Sequence, residues 1–300
     1  MINLFFSILI IVTFYSISVY SYYYKKKDII YLVFLTLIPL IFIRFDWRFS
    51  ILSIFLFLIP VFVKKTAYTD LTLCCMYGSI LFAYFLLNYF LTYDIPYLLP
   101  ITIGSVFLIC VLAIVGIFEV DLKRFLIISN LIQTIFVVLD LSVAKLAGKI
   151  AALGTIQIFN YTIVGLLFFI TLGILSLDDK IKNISKLFGS YYKDRLSSIS
   201  AIIAALSLAG IPGLNMFVSE WLLFITSYEI NPVITIFGIF AALLLFVMYF
   251  KIVNIVLTGR AEPFKNPIKI LDYFTVILAI TSILFGLLPQ LQLYILGMVI

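Results

Sequence analysis

The chain has 300 residues, 65% of them hydrophobic, 17% aromatic and 11% charged, with a net charge of +6. Soluble domains carry roughly 25% charged residues, so this composition, with a mean hydropathy of +1.26, excludes a water-exposed globular surface and leaves no room for a soluble catalytic domain. Histidine is absent, which removes the commonest metal ligand and the usual proton carrier near neutral pH; no metal site, haem or other cofactor is expected.

A bilayer span needs about 20 apolar residues. Charge clusters and Pro/Gly joints divide the chain into apolar segments at 2–22, 29–43, 50–63, 71–92, 97–118, 125–143, 150–176, 196–227, 232–257 and 271–296. The expected fold is an all-α polytopic membrane protein of roughly ten transmembrane helices, a single transmembrane domain over 1–300 with at least one helix broken at Pro212. The first run has no basic region and no small-residue cleavage site ahead of Lys25, and it reads as a true span. The second and third are short and also fit a re-entrant pair. The connector 177–195, LDDKIKNISKLFGSYYKDR, reads as an interfacial amphipathic segment.

If the spans alternate, one face collects Lys25, Lys26, Lys27, Lys64, Lys65, Lys123, Arg124, Lys180, Lys182, Lys186, Lys193, Arg195, Arg260, Lys265 and Lys269. The other holds Arg44, Arg48, Lys145 and Lys149. The positive-inside rule places the basic face in the cytoplasm or matrix. This asymmetry accounts for the basic character of the chain, and no nucleic-acid partner is needed. Cys74, Cys75 and Cys110 lie inside spans and read as small packing residues.

The segment 206–224, LSLAGIPGLNMFVSEWLLF, carries Pro212 and Glu220 inside one expected span. Pro212 has no N–H to offer the Leu208 carbonyl, and hydrocarbon supplies no water to an ionised carboxylate, so protein or a hydrated cavity must meet both groups. Unwinding across Gly210, Ile211, Pro212 and Gly213 is expected to free carbonyls that order water near Glu220, about 12 Å further along the helix. A packing kink is the alternative reading for Pro212, and a helix–helix hydrogen bond the alternative for Glu220. Asn215 and Ser219 add a polar edge nearby.

Asp140 and Lys251 are the other ionisable residues within spans, where a charge costs about 2.5–3.5 kcal/mol at a helix centre. Lys251 reads either as a relay or as a side chain snorkelling towards the basic face and Arg260. Asp140 is near the end of its span, and an interfacial position is the favoured expectation. Its five-residue spacing from Lys145 rules against a simple intrahelical pair. Two polar stripes, Asn130–Gln133–Asp140 and Gln157–Asn160–Tyr161, serve either to join helices or to line a hydrated path.

The phrase LSLAGIPGLNMFVSEWLLF, followed one span later by YFKIVNIVLTGRAEPF, resembles the C-terminal part of the antiporter-like proton-pumping subunits of respiratory complex I. Related subunits occur in membrane-bound hydrogenases and multisubunit sodium/proton antiporters. LSLAGIP and the run Tyr249, Phe250, Lys251 are most similar to subunit 2, the N-type member. Phe217, Val218, Ser219, Glu220 and Trp221 are more similar to subunit 4 and the hydrogenase members. Glu119, Val120, Asp121, Leu122, Lys123 and Arg124 resemble the family's Gln-x-Asp-Leu-Lys-Arg run, and IFNYTIVGLLFF at 158–169 resembles the central helix. Where many members place a histidine and, four residues on, a lysine, this chain has Asn160 and Val164. The resemblance covers roughly 115–295, while 1–114 match only as hydrophobic spans.

Members usually have about fourteen spans, including two inverted five-helix repeats, each with a broken helix and a buried lysine. The first half of this chain has no intramembrane lysine or glutamate, so the resemblance implies a shortened or diverged member whose missing helices come from another chain. It further implies a membrane-arm subunit of a complex I-like NADH:quinone oxidoreductase with no redox site of its own. Its partners would be other membrane-arm subunits and the lipid bilayer. The expected proton pathway uses Glu220, Lys251, Asp140 and Asn160, with the helix break at Pro212 and Gly213. The alternatives are a structural subunit of the same arm that no longer pumps and a stand-alone cation/proton antiporter. High Phe, Ile, Tyr and Lys content points to an AT-rich gene and so to the mitochondrial inner membrane, with a prokaryotic plasma membrane as the alternative.

Overall fold

The computed structural model describes residues 73–148, 150–176, 182–259 and 270–296, together with Thr13, Tyr15 and Arg48. Apart from Thr13 and Tyr15, the expected spans at 2–22, 29–43 and 50–63 lie outside the described residues. A π turn at Leu73–Tyr77 leads into α1 (Gly78–Thr92), followed by α2 (Leu98–Phe118), α3 (Leu122–Leu146) and α4 (Ile150–Leu175). After a 3-10 turn at Ile184–Leu187 come the short α5 (Ser190–Lys193), then α6 (Arg195–Leu208), α7 (Asn215–Ile230), α8 (Pro232–Leu257), α9 (Ile270–Leu287) and α10 (Pro289–Ile295).

Local chemistry sets the helix starts. Asp121, Asp194 and Asn231 each place a side-chain oxygen on an otherwise unpaired N–H of the first turn, those of Arg124, Ser197 and Val233. Pro232 then occupies the first position of α8, where its missing N–H costs nothing.

Among the described residues, five helical segments are long and apolar enough to cross a membrane: Cys75–Thr92, Leu98–Phe118, Leu122–Leu146, Leu153–Leu175 and Pro232–Leu257. A sixth span is formed if α9 and α10 are taken together, although they meet at 102°. The sequence reads 271–296 as one span. The bend arises because Pro289 offers no N–H to continue α9, while Leu288 N–H closes the last turn on Leu284 O at 2.8 Å. The expected span 196–227 is likewise two helices, α6 and α7.

At the centre of the bundle, α4 packs against α1, α3, α6, α7 and α9. Every residue of its Leu153–Leu175 stretch is buried. On the outside, α2 exposes Ile103, Phe107 and Val115, and α8 exposes Ile236, Phe237 and Leu243. An apolar face of this extent suits lipid or a neighbouring membrane chain.

One end of the bundle gathers the α2–α3 turn, the connector and the end of α8. Leu122 N–H donates to Lys182 O at 2.8 Å, Ile184 N–H to Val120 O at 2.9 Å, and Gly189 N–H to Ile255 O at 3.1 Å. The connector buries Ile184 and Leu187 and exposes Lys182, Lys186 and Lys193, the division expected of an amphipathic segment. With Lys123, Arg124 and Arg195 it makes this the basic end, as alternation of the spans requires.

Candidate functional site

The break between α6 and α7 is built by Gly210 and Pro212 together. Gly210 adopts φ +70°, a left-handed conformation natural to glycine. Its N–H donates to Ser207 O at 2.9 Å, and Ile211 N–H reaches back to Leu206 O at 3.2 Å. These are the two bonds of a Schellman cap, so α6 ends on a formed cap one residue before the proline prevents continuation. Gly213, at φ +91°, turns the chain into α7.

Helical side chains lean towards the N-terminus, and the Glu220 carboxyl accordingly returns to the break. A Cβ placed on Gly210 would lie 2.1 Å from Glu220 Oε2. The 12 Å expected between break and acid along a straight helix is therefore closed to direct contact. An ionised carboxylate in this position, 5% exposed, faces the carbonyl end of α6, where the helix dipole is negative.

Asp140 corrects the expectation of an interfacial acid. It is 1% exposed, and both carboxyl oxygens lack a hydrogen-bond partner. The reason is packing: α3 runs beside α7 as well as α1, α2 and α4, so protein encloses the residue before the helix reaches the surface. Lys145 turns elsewhere, donating to the carbonyls of Phe90 at 2.9 Å and Tyr93 at 3.1 Å and lying 3.5 Å from Asp94. It thereby caps the end of α1.

Lys251 does the same for α2. Its Nζ donates to Ile117 O at 2.9 Å and Glu119 O at 2.5 Å, satisfying carbonyls that a helix end leaves without donors. Two residues earlier, the Tyr249 ring is held edge-on by Phe125 and Phe168, with centroids 6.3 and 5.8 Å away. This clamp points its hydroxyl to Ser129 Oγ at 2.8 Å, one helical turn from Gln133 on α3. Gln133 Oε1 accepts in turn from Gln157 Nε2 at 3.4 Å, leaving Gln133 Nε2 and Gln157 Oε1 without partners.

The expected stripes divide among different neighbours. Asn130 donates to Cys75 O at 3.0 Å and Ser79 Oγ at 2.7 Å and accepts from Tyr161, tying α3 to the π turn and to α4. Asn160 faces away from Tyr161's partners and joins a separate hub. Its Oδ1 accepts from Asn215 Nδ2 at 3.3 Å and from Gln292 Nε2. Asn215 Oδ1 accepts from Ser207 Oγ at 2.9 Å and Ser282 Oγ at 2.7 Å. The hub thus connects α4, α6, α7, α9 and α10 through uncharged groups at both helix breaks. Asn215 belongs to it rather than to an edge near Glu220, and Ser219 Oγ instead donates back to Met216 O at 2.9 Å.

Ser207, Ser282, Gln292 and Gly286 were not picked out from sequence. Gly286 permits the two breaks to touch: a Cβ there would lie 2.3 Å from Gly213 O. The available signal was Gln292 three residues after Pro289, an amide just past a proline in an apolar run. The described residues contain no group of three or more His, Cys, Asp or Glu side chains placed to hold a metal.

A family profile described as NADH:quinone oxidoreductase/Mrp antiporter, TM, matches residues 67–245. The chain belongs to this family. It is an integral membrane protein of the antiporter-like type. Among solved structures, a chain of respiratory complex I from Thermus thermophilus with bound aureothin is similar at TM-score 0.66 and 18% identity, covering 79% of this chain and 53% of that one. A chain of the Mrp complex from Dietzia sp. DQ12-45-1b is similar at TM-score 0.61 and 14% identity, covering 99% and 65%. A chain of the membrane-bound sulfane sulfur reductase, an archaeal respiratory membrane complex, is similar at TM-score 0.62 and 17% identity, covering 81% and 47%. At these identities the likeness is one of fold. The antiporter-like chain described here spans between about half and two thirds of the length of the structures it matches.

Proposed function

We propose that this chain is a membrane-arm subunit of a complex I-like NADH:quinone oxidoreductase and takes part in proton translocation, with Glu220 as the group that holds and releases the proton. The observation that carries the reading is the buried Glu220 carboxyl seated over Gly210 at the junction of two half-helices. An intramembrane acid at irregular backbone is where membrane transport sites are built. Redox chemistry belongs to partner subunits on this reading. Asn160, Gln133 and Gln157 are amides that align water without storing a proton, and Asp140 and Tyr249 extend the polar strip from Glu220 across the bundle. Lys251, held on the α2 carbonyls, has a positioning role and is the pathway's nearest basic group to the basic end. The N-type subunit is the finer assignment, supported by LSLAGIP and Tyr249–Lys251, and the mitochondrial inner membrane the finer location.

A second reading, a cation/proton antiporter subunit, is favoured by the similarity to the Dietzia Mrp chain, which extends over 99% of this chain. A third, a structural subunit that no longer pumps, is favoured by Asn160 and Val164 at the two positions where many relatives carry histidine and lysine. Proton translocation per turnover by the assembled complex carrying Glu220→Gln tests all three. Loss of pumping with assembly intact on a native gel supports conduction at Glu220. Loss of sodium-coupled exchange without any change in quinone reduction selects the antiporter. Unchanged transport and electron transfer leave the structural reading.

A further inference from the structure

Asp140 and Glu220 are both buried and stand on packed helices, α3 and α7. Asp140 lies six residues before the end of α3 at Leu146 and Glu220 ten before the end of α7 at Ile230. Both helices end at the same end of the bundle, so at 1.5 Å per residue the two acids differ in depth by about 6 Å.

No described cation is available to either acid. Lys145 and Lys251 are bonded to the carbonyl ends of α1 and α2, and Arg195 is exposed at the start of α6. The buried or half-buried titratable groups on the packed elements are Tyr249 of α8, bonded to Ser129; Tyr161 of α4, which donates to Asn130; Asp272 of α9, which accepts from Ser197; Tyr77 of the π turn; Tyr84 of α1; and Cys110 of α2, while Tyr89, Tyr228, Glu229 and Tyr273 are exposed. Two ionised carboxylates in this interior would each carry an uncompensated desolvation cost and would also repel each other. The unpartnered oxygens of Asp140 leave a place for a proton or for a water bridging to one.

We propose that Asp140 and Glu220 share a single proton and act as a two-carboxyl relay. In the transfer the O–H bond on one carboxyl breaks and an O–H bond forms on the other carboxylate, directly or through water, so the pair keeps one negative charge throughout. The unpartnered Gln133 Nε2 and Gln157 Oε1, with Gln133 two helical turns from Asp140 on the same face of α3, continue the line of donors and acceptors that such water needs. This inference rests on the reading of Glu220 as a proton-holding site and adds Asp140 as its exchange partner.

The test is infrared titration of the carboxyl C=O band in the assembled complex, as variant-minus-wild-type difference spectra. With Asp140→Asn, the remaining Glu220 is expected to lose its proton at a pH lower by at least about one unit, a tenfold change in proton affinity. By reciprocity, Glu220→Gln shifts Asp140 by the same amount. Midpoints that stay in place overturn the relay. If Asp140→Asn does not assemble, the Glu220→Gln spectrum decides, because coupling is the same from either side. Coupled midpoints alongside normal pumping in Glu220→Gln retain the pair and remove the conduction reading; uncoupled midpoints alongside abolished pumping do the reverse.

Discussion

Glu220 Oε2 occupies the space that a side chain on Gly210 would need, 2.1 Å from the position of an added Cβ. The residue that ends α6 is therefore also the floor of the acid's site, and the shape of the break and the position of the carboxyl are one constraint. Gly210→Ala is expected to strain the left-handed backbone by about 1 kcal/mol and to push the carboxyl away. Proton translocation should fall while the complex still assembles, and comparison of pumping with native-gel yield checks this.

Gly286→Ala should be the more damaging change. The clash there is with the Gly213 carbonyl and Leu214 Cα at 2.3–2.4 Å, and backbone atoms have no rotamer by which to move aside. The two broken helices would have to separate, disturbing Ser282 and Gln292 as well. Thermal unfolding of the complex should shift further down for Gly286→Ala than for Gly210→Ala.

Lys251→Met removes donors from Ile117 O and Glu119 O. Leaving such acceptors unmet costs about 1–3 kcal/mol each when buried, and the partial exposure of this helix end places the effect at the lower part of that range. The expected result is reduced stability with transport per assembled complex retained. A selective loss of transport would return Lys251 to the relay role.

Asn160→Leu deprives Asn215 and Gln292 of their shared acceptor. Destabilisation of about 1–3 kcal/mol is expected, the cost of the Gln292 donor left without a partner, since Asn215 Nδ2 keeps the Asn160 backbone carbonyl at 3.3 Å. Asn160→Asp tests the same position with little change of shape: it keeps the acceptor for both donors while introducing a proton-binding group. A native-gel and thermal-shift series across both variants separates bonding from charge.

Helix periodicity and proline placement made much of the bundle legible in the sequence. Pro232 marked the start of α8, and the Gly210–Gly213 phrase marked the break because both its glycines and its proline have strong backbone preferences. The position of Asp140 was not legible, since its burial depends on α7 lying beside α3, a relation between residues eighty positions apart in sequence. The hub was hidden for a similar reason: Ser207 and Ser282 look like ordinary small residues in apolar helices until the two breaks bring them to Asn215. Gln157, Asn160 and Tyr161 share one sequence cluster, yet Gln157 and Tyr161 bond α3 while Asn160 bonds α7 and α10, because a helix enclosed on all sides has no preferred face.

That enclosure bears on how the protein is made. A ribosome delivers α4 to the membrane before α6, α7 and α9 exist, so the segment first meets lipid on the sides those helices later cover. Its leucines, isoleucines and phenylalanines must carry Asn160 into the bilayer before its partners Asn215 and Gln292 are made, whereas Gln157 finds Gln133 already present on α3. In the finished bundle the same apolar side chains never touch lipid, and the hydrophobicity of α4 records a passage through the bilayer during assembly.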